Sequence, residues 1–121
     1  MFPRILLWNT IDEGEIFTMF TINDKNYELK FTLKRASNIE KALGGESIAH
    51  AMLSNEGMMS ITAIMVFFAY GLIEVGSDAV VAPTVGQQLC EQYMNENGYS
   101  AAIKQIQEAV KRDLGFLFRL A

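Results

Sequence analysis

The sequence predicts an α+β domain, mostly α, in which an N-terminal β-hairpin lies on a bundle of about four to five helices with one buried at the centre. Three observations lead there. Residues Tyr27 to Leu33 alternate apolar and polar at every step, the period of a half-buried strand. From Lys34 the apolar spacing lengthens to three and four residues and keeps that period almost to the C-terminus. Within that region, the stretch from Met58 to Val75 carries no charge between Glu56 and Glu74, which at helical length means a helix covered on most sides or a membrane span.

The covered helix is the expected reading. The uncharged run falls short of the roughly 18 residues of a span, Ser60, Thr62, Tyr70 and Gly71 dilute it, and no Lys/Arg cluster marks either end. The 121 residues suit one domain, with residues 1–33 as arm and hairpin and residues 34–121 as the helical layer. Ile5, Leu6, Leu7 and Trp8 predict a strand or irregular arm, read as mature sequence because no basic leader or cleavage site accompanies them. Ile16 to Ile22 predicts the first hairpin strand, Asn23 to Asn26 the turn, and Tyr27, Leu29, Phe31 and Leu33 the inward face of the second strand. Ala36, Ile39 and Leu43 then form a helical stripe that Gly44-Gly45 ends. Ile48, Ala49, Met52 and Leu53 form a second, broken at Ser54 to Gly57.

Ser60 is placed to cap the central helix, with Ile61, Ile64, Met65, Phe68 and Leu72 on one face and Val66, Phe67 and Ile73 on the others. After a loop around Pro83, Thr84 and Gln87 have capping-box spacing ahead of a fourth helix carrying Val85, Leu89, Cys90, Tyr93 and Met94. The last helix runs from about Ser100 to about Leu117 on Ile103, Ile106, Val110, Leu114 and Leu117.

Composition removes several function classes. A net charge of −4 and a pI near 4.9, with no basic run, argue against nucleic acid as a direct partner. The lone Cys90 forms no intramolecular disulfide and reads as a small buried hydrophobe, which suits a reducing cytoplasm. His50, with Glu46 one turn earlier, reads as a surface histidine. Gly44-Gly45 lacks the further residues of a phosphate loop. Asp12, Glu13 and Glu15 lack the spacing of a calcium loop. No nucleophile and base, carboxylate dyad or metal cluster emerges, so the expectation is a protein that is not an enzyme and uses no cofactor, metal or membrane.

The layout of Tyr27 to Val75 nonetheless resembles a family. Its marks are the alternating strand Tyr27-Glu-Leu-Lys-Phe-Thr-Leu33, the helix holding Ile39 and ending Leu43-Gly44, a second short helix, and a Ser-initiated apolar helix closing on Ala69-Tyr70-Gly71-Leu72. In these it is similar to the tail assembly chaperones of siphovirus-type bacteriophages and prophages. The resemblance implies a non-enzymatic homo-oligomer in the bacterial cytoplasm. Such a protein binds the tape-measure protein, keeps it soluble, helps recruit tail-tube subunits and leaves before the tail is complete. The alternative is a structural tail or head-tail component retained in the virion.

A client of that kind, long, helical and striped with apolar residues, calls for adaptable apolar grooves. Seven methionines and a surplus of aromatic residues for so small an interior suggest where such a surface lies. The expected protein-binding residues are Met58, Phe67, Phe116, Phe118 and Leu120. In the C-terminal segment Leu114 and Leu117 continue the inward stripe and Phe118 can join it, whereas Phe116 and Leu120 fall off it. Either another chain covers them or the segment curls back over the hairpin.

Overall fold

The computed structural model describes residues 19–77 and 79–118. The N-terminal arm, the acidic patch at Asp12 to Glu15, Ile16 to Thr18 of the expected first strand, and Leu120 lie outside them.

The fold is α+β and mostly α, as the sequence predicts. Strand β1 (Met19–Ile22) pairs antiparallel with β2 (Lys25–Leu29), and Ile22 faces Lys25, so the turn is only Asn23-Asp24. Both have positive φ, 53° and 66°, the left-handed backbone that a two-residue hairpin turn demands and that Asn and Asp tolerate best after Gly. The alternation holds for Tyr27, Leu29 and Phe31, all buried, but fails at Leu33, which is 68% exposed. There the strand has already ended. Thr32 caps helix α1 (Leu33–Ala42) by accepting the Arg35 N–H at 3.2 Å, so Leu33 becomes an outward first-turn residue. Ala36 and Ile39 face inward as expected, and Gly44 and Gly45 close the helix with φ of 74° and 98°.

Helix α2 (Ile48–Leu53) starts on a Ser47 cap that accepts from the His50 N–H at 3.0 Å. That start sets its phase: Ile48, Ala51 and Met52 are buried, and Leu53, expected inside, is 65% exposed. A 3₁₀ turn (Ser54–Gly57) leads to α3 (Ile61–Gly71), capped by Ser60 as predicted. Ile64, Phe67 and Phe68 of α3 are fully buried, while Ile61, expected on the inward face, sits in the first turn and is 60% exposed.

The sequence reading carries the faces of the central helix on to Leu72 and Ile73; the structure ends the helix at Gly71. The Gly71 carbonyl accepts the Lys30 N–H at 2.8 Å and Arg35 Nη1 at 3.3 Å, so the backbone is handed from helix to sheet there. A side chain at 71 would also run into the Phe31 ring. The chain continues as β3 (Leu72–Glu74), antiparallel to β2, and β4 (Ala79–Val80), antiparallel to β3. The expected hairpin is therefore half of a four-stranded sheet in the order β1-β2-β3-β4.

Helix α4 (Pro83–Asn97) lies most closely on α3, and no capping box forms. Pro83 takes the first helical position, so the cap falls to Ala82, which has no side chain to offer. Gly86 makes the close approach possible: a Cβ on it would stand 2.9 Å from the Ala69 Cα. Gly98 then turns the chain into α5 (Tyr99–Leu114), whose Ile103, Ile106, Val110 and Leu114 are buried. The inward stripe stops at Leu114, because Gly115–Phe118 tightens to a 3₁₀ turn. Leu117 is consequently 38% exposed, contrary to the helical period, and Phe118 packs against the core instead.

Candidate protein-binding groove

Where α2 meets the end of α5, the packing opens into a groove of about 470 Å³. Met52 and Leu53 form one wall, Gln107, Val110 and Lys111 the other, and Phe118 closes the end. The α2 wall is positioned by its cap and by Glu40 on α1, whose Oε2 accepts the Ile48 N–H at 2.9 Å.

The α5 wall is fixed to the sheet by a charge-assisted cluster. Arg112 donates to both carboxylate oxygens of Asp113 at 2.7 Å and, through Nη2, to the Leu29 carbonyl at 2.6 Å. Asp113 Oδ2 in turn accepts the Phe31 N–H at 2.9 Å. Ionised partners make such bonds the stronger sort, so the last turn of α5 is held against β2 while its other face is left to the groove.

The turn behind α2 is strained. Asn55, Glu56 and Gly57 all have positive φ (55°, 59° and 83°), costing of the order of 1 kcal/mol for each of the two residues that carry a Cβ. The turn directs consecutive methionines oppositely: Met58 is 54% exposed and Met59 is buried. Its exit is anchored by the Tyr99 hydroxyl, which donates to the Met59 carbonyl at 2.5 Å.

The expected binding residues separate. Phe116 is 48% exposed at the end of the α5 wall, Phe118 lines the groove, and Met58 is exposed at the end of the strained turn. Phe67 is not a surface residue: it is fully buried, edge-on to Phe31 with ring centroids 5.9 Å apart. Phe31, which follows β2, covers that side of α3. Leu53 and Leu117, which helical spacing puts inside, are instead exposed beside the groove. The Ser47 cap, which sets the phase of α2, is the signal that locates Leu53.

Cys90 is fully buried, and that burial, with Glu91 adding to it, pushes its thiol from 9.0 up to about 12, so it is a poor nucleophile near neutral pH. His50 pairs with Glu46 at 2.5 Å on the exposed side of α2. Among the described residues no group of three or more His, Cys, Asp or Glu is placed to hold a metal ion. No buried side-chain polar atom among them lacks a hydrogen-bond partner. No described helix is long and apolar enough to cross a membrane. In comparisons with known proteins, the chain matches no protein family, no curated protein and no solved structure.

Proposed function

We propose that this chain is a tail assembly chaperone of a siphovirus-type phage or prophage, acting without catalysis in the bacterial cytoplasm. Its client is the tape-measure protein, which it keeps soluble while tail-tube subunits are recruited, and it works as a homo-oligomer. The observation that carries this reading is the apolar groove between α2 and the end of α5, with Leu53, Phe116 and Leu117 left exposed beside it. Such a groove accepts the apolar stripe of an amphipathic helix, with anchors at three- and four-residue spacing. The methionine of its α2 wall, Met52, can adjust its shape to different turns of a long client. The sequence layout from Tyr27 to Val75 supports the same assignment.

Co-expression tests it. Produced with the tape-measure protein of the same phage, the chain is expected to hold that protein in the soluble fraction as a stable complex and to be missing from purified virions. A tape-measure protein that stays insoluble with or without the chain contradicts the proposal. Detection of the chain in finished virions replaces it with a structural tail or head-tail component.

A further inference from the structure

We infer that the turn Ser54–Gly57 is a hinge through which two copies of this chain exchange their N-terminal halves. The unit from β1 to α2 (residues 19–53) leaves its own α3, α4 and α5 and packs on those of the second copy. Such an exchange gives the homo-oligomer of the proposed function a definite form, and it makes no use of the client.

The first observation is strain at the junction. Asn55, Glu56 and Gly57 are three successive residues with left-handed backbone, and Glu56, unlike Asn or Gly, has no tolerance for it. The turn itself is held by short-range bonds, from the Met58 N–H to the Asn55 carbonyl at 3.0 Å and from the Met59 N–H to the Gly57 carbonyl at 3.1 Å. A short hinge under strain favours exchange, because opening it relieves the strain while the contacts on either side re-form between copies.

The second is where those contacts lie. The hairpin and the α1–α2 contact stay inside the exchanging unit. Across its boundary β2 pairs with β3, α1 packs on α3, β1 on α4 and β2 on α5. A second copy can supply each of these unchanged, including the bonds from Arg112 to the Leu29 carbonyl and from the Phe31 N–H to Asp113. The balance between closed chain and exchanged pair therefore reduces to the hinge and the entropy of association.

The third is what a straightened hinge presents. With the hinge helical, α2 and α3 join into one helix over residues 48–71, about 36 Å long and free of proline. Leu53, Met58 and Ile61, all exposed in the closed chain, fall within about 140° of one another around it. The buried Ile48, Met52 and Met59 gather on the opposite side. Two such helices crossing at the hinge cover the three exposed residues with their equivalents about a twofold axis. The exchange also sets Met52 of one copy against Val110 and Phe118 of the other, so each groove is built from two chains.

The chain alone tests this, refolded from urea over a range of concentrations and weighed by light scattering. A Cβ at position 57 has Gln107 Nε2 and the Met52 carbonyl as neighbours at 3.9 Å, so Gly57→Ala strains the closed turn without a clash. It also favours the straight helix, and is expected to raise the dimer association constant at least about tenfold. Glu56→Gly relieves the turn and weakens the helix, and is expected to lower that constant at least about tenfold. Connectivity is read with the double variant Glu28→Cys/Ile73→Cys, two positions that the sheet register sets opposite each other. Oxidised dimers are expected to run as linked pairs on a denaturing gel, and monomers as internally closed single chains. A protein that stays monomeric at every concentration, Gly57→Ala included, overturns the inference. A dimer that responds to neither hinge substitution overturns it as well, and so does one whose cysteines close within single chains, since two closed copies would then lie side by side. With no client present, those results leave the tape-measure reading standing. Linked pairs that bind no tape-measure fragment refute that reading and leave the exchange standing.

Discussion

The central helix and the α2–α5 corner use the same kinds of side chain and leave them in opposite conditions. Along α3, Ile64, Phe67 and Phe68 are sealed by β2, α1, α4 and α5, and glycines at 71 and 86 remove the Cβ atoms that would hold Phe31 and α4 away. At the corner, Leu53, Phe116 and Leu117 remain exposed around an open groove, although Met52, Val110 and Leu114 just beneath them are buried. The difference teaches that apolar surplus is not distributed evenly: the chain closes one region to backbone contact and stops short of closing the other. Core packing at the first should be intolerant of any change, whereas the second should accept polar groups without loss of fold.

Phe68→Asp breaks the sealed side most severely. An unpaired carboxylate beside Phe20 and Tyr93, whose rings lie 5.9 and 5.7 Å from that of Phe68, costs several kcal/mol against a total stability of about 5 to 15 kcal/mol. The expected outcome is a protein without a cooperative thermal transition by circular dichroism. A soluble variant that melts near wild type would show that α3 is not core.

Gly86→Ala comes next. Alanine is favoured over glycine within a helix by about 1 kcal/mol, but the added methyl stands 2.9 Å from the Ala69 Cα and 3.2 Å from two carbonyl oxygens. Those are backbone atoms, so α4 itself must move, at about 1 to 3 kcal/mol. Close approach wins over propensity, and urea denaturation should show a net loss of stability. A stabilised Gly86→Ala protein would mean that α3 and α4 are further apart than described.

Ser60→Ala should cost about 1 kcal/mol, since only the bond from the Ala63 N–H to the Ser60 hydroxyl, 3.0 Å long, is removed from an otherwise intact helix. That corresponds to a fall in Tm of roughly 4 °C. A Tm equal to wild type would show that water replaces the cap at no cost.

Where sequence and structure agree or part follows the same physical division. Local chemistry is legible: the alternation of Tyr27, Leu29 and Phe31, the Ser60 cap, the Gly44-Gly45 stop and the stripe through Ile103, Ile106, Val110 and Leu114 are each decided within a few residues. Strands β3 and β4 are not, because Leu72-Ile73-Glu74 continues the apolar run of α3 and becomes a strand only through pairing with Tyr27 to Leu29, more than forty residues away. Thr84 and Gln87 carry a true capping-box pattern that the φ of Pro83 overrules one residue earlier.

The groove is half legible. Met58, Phe116 and Phe118 stand out in the sequence as excess apolar residues, but Phe67 cannot be separated from them until Phe31 is placed against it. Leu53 and Leu117 defeat the periodicity because each lies where a helix has just started or just ended, and the 3.6-residue period no longer fixes direction there.

The most direct measurement pairs stability with client binding in the double variant Leu53→Asp/Phe116→Asp. Both positions are exposed, so its melting is expected to stay within about 0.5 kcal/mol of wild type. Its affinity for a tape-measure fragment, by titration calorimetry, is expected to fall at least about tenfold, the equivalent of 1.4 kcal/mol. A variant that melts like wild type and binds the fragment equally well would contradict the assignment of the groove.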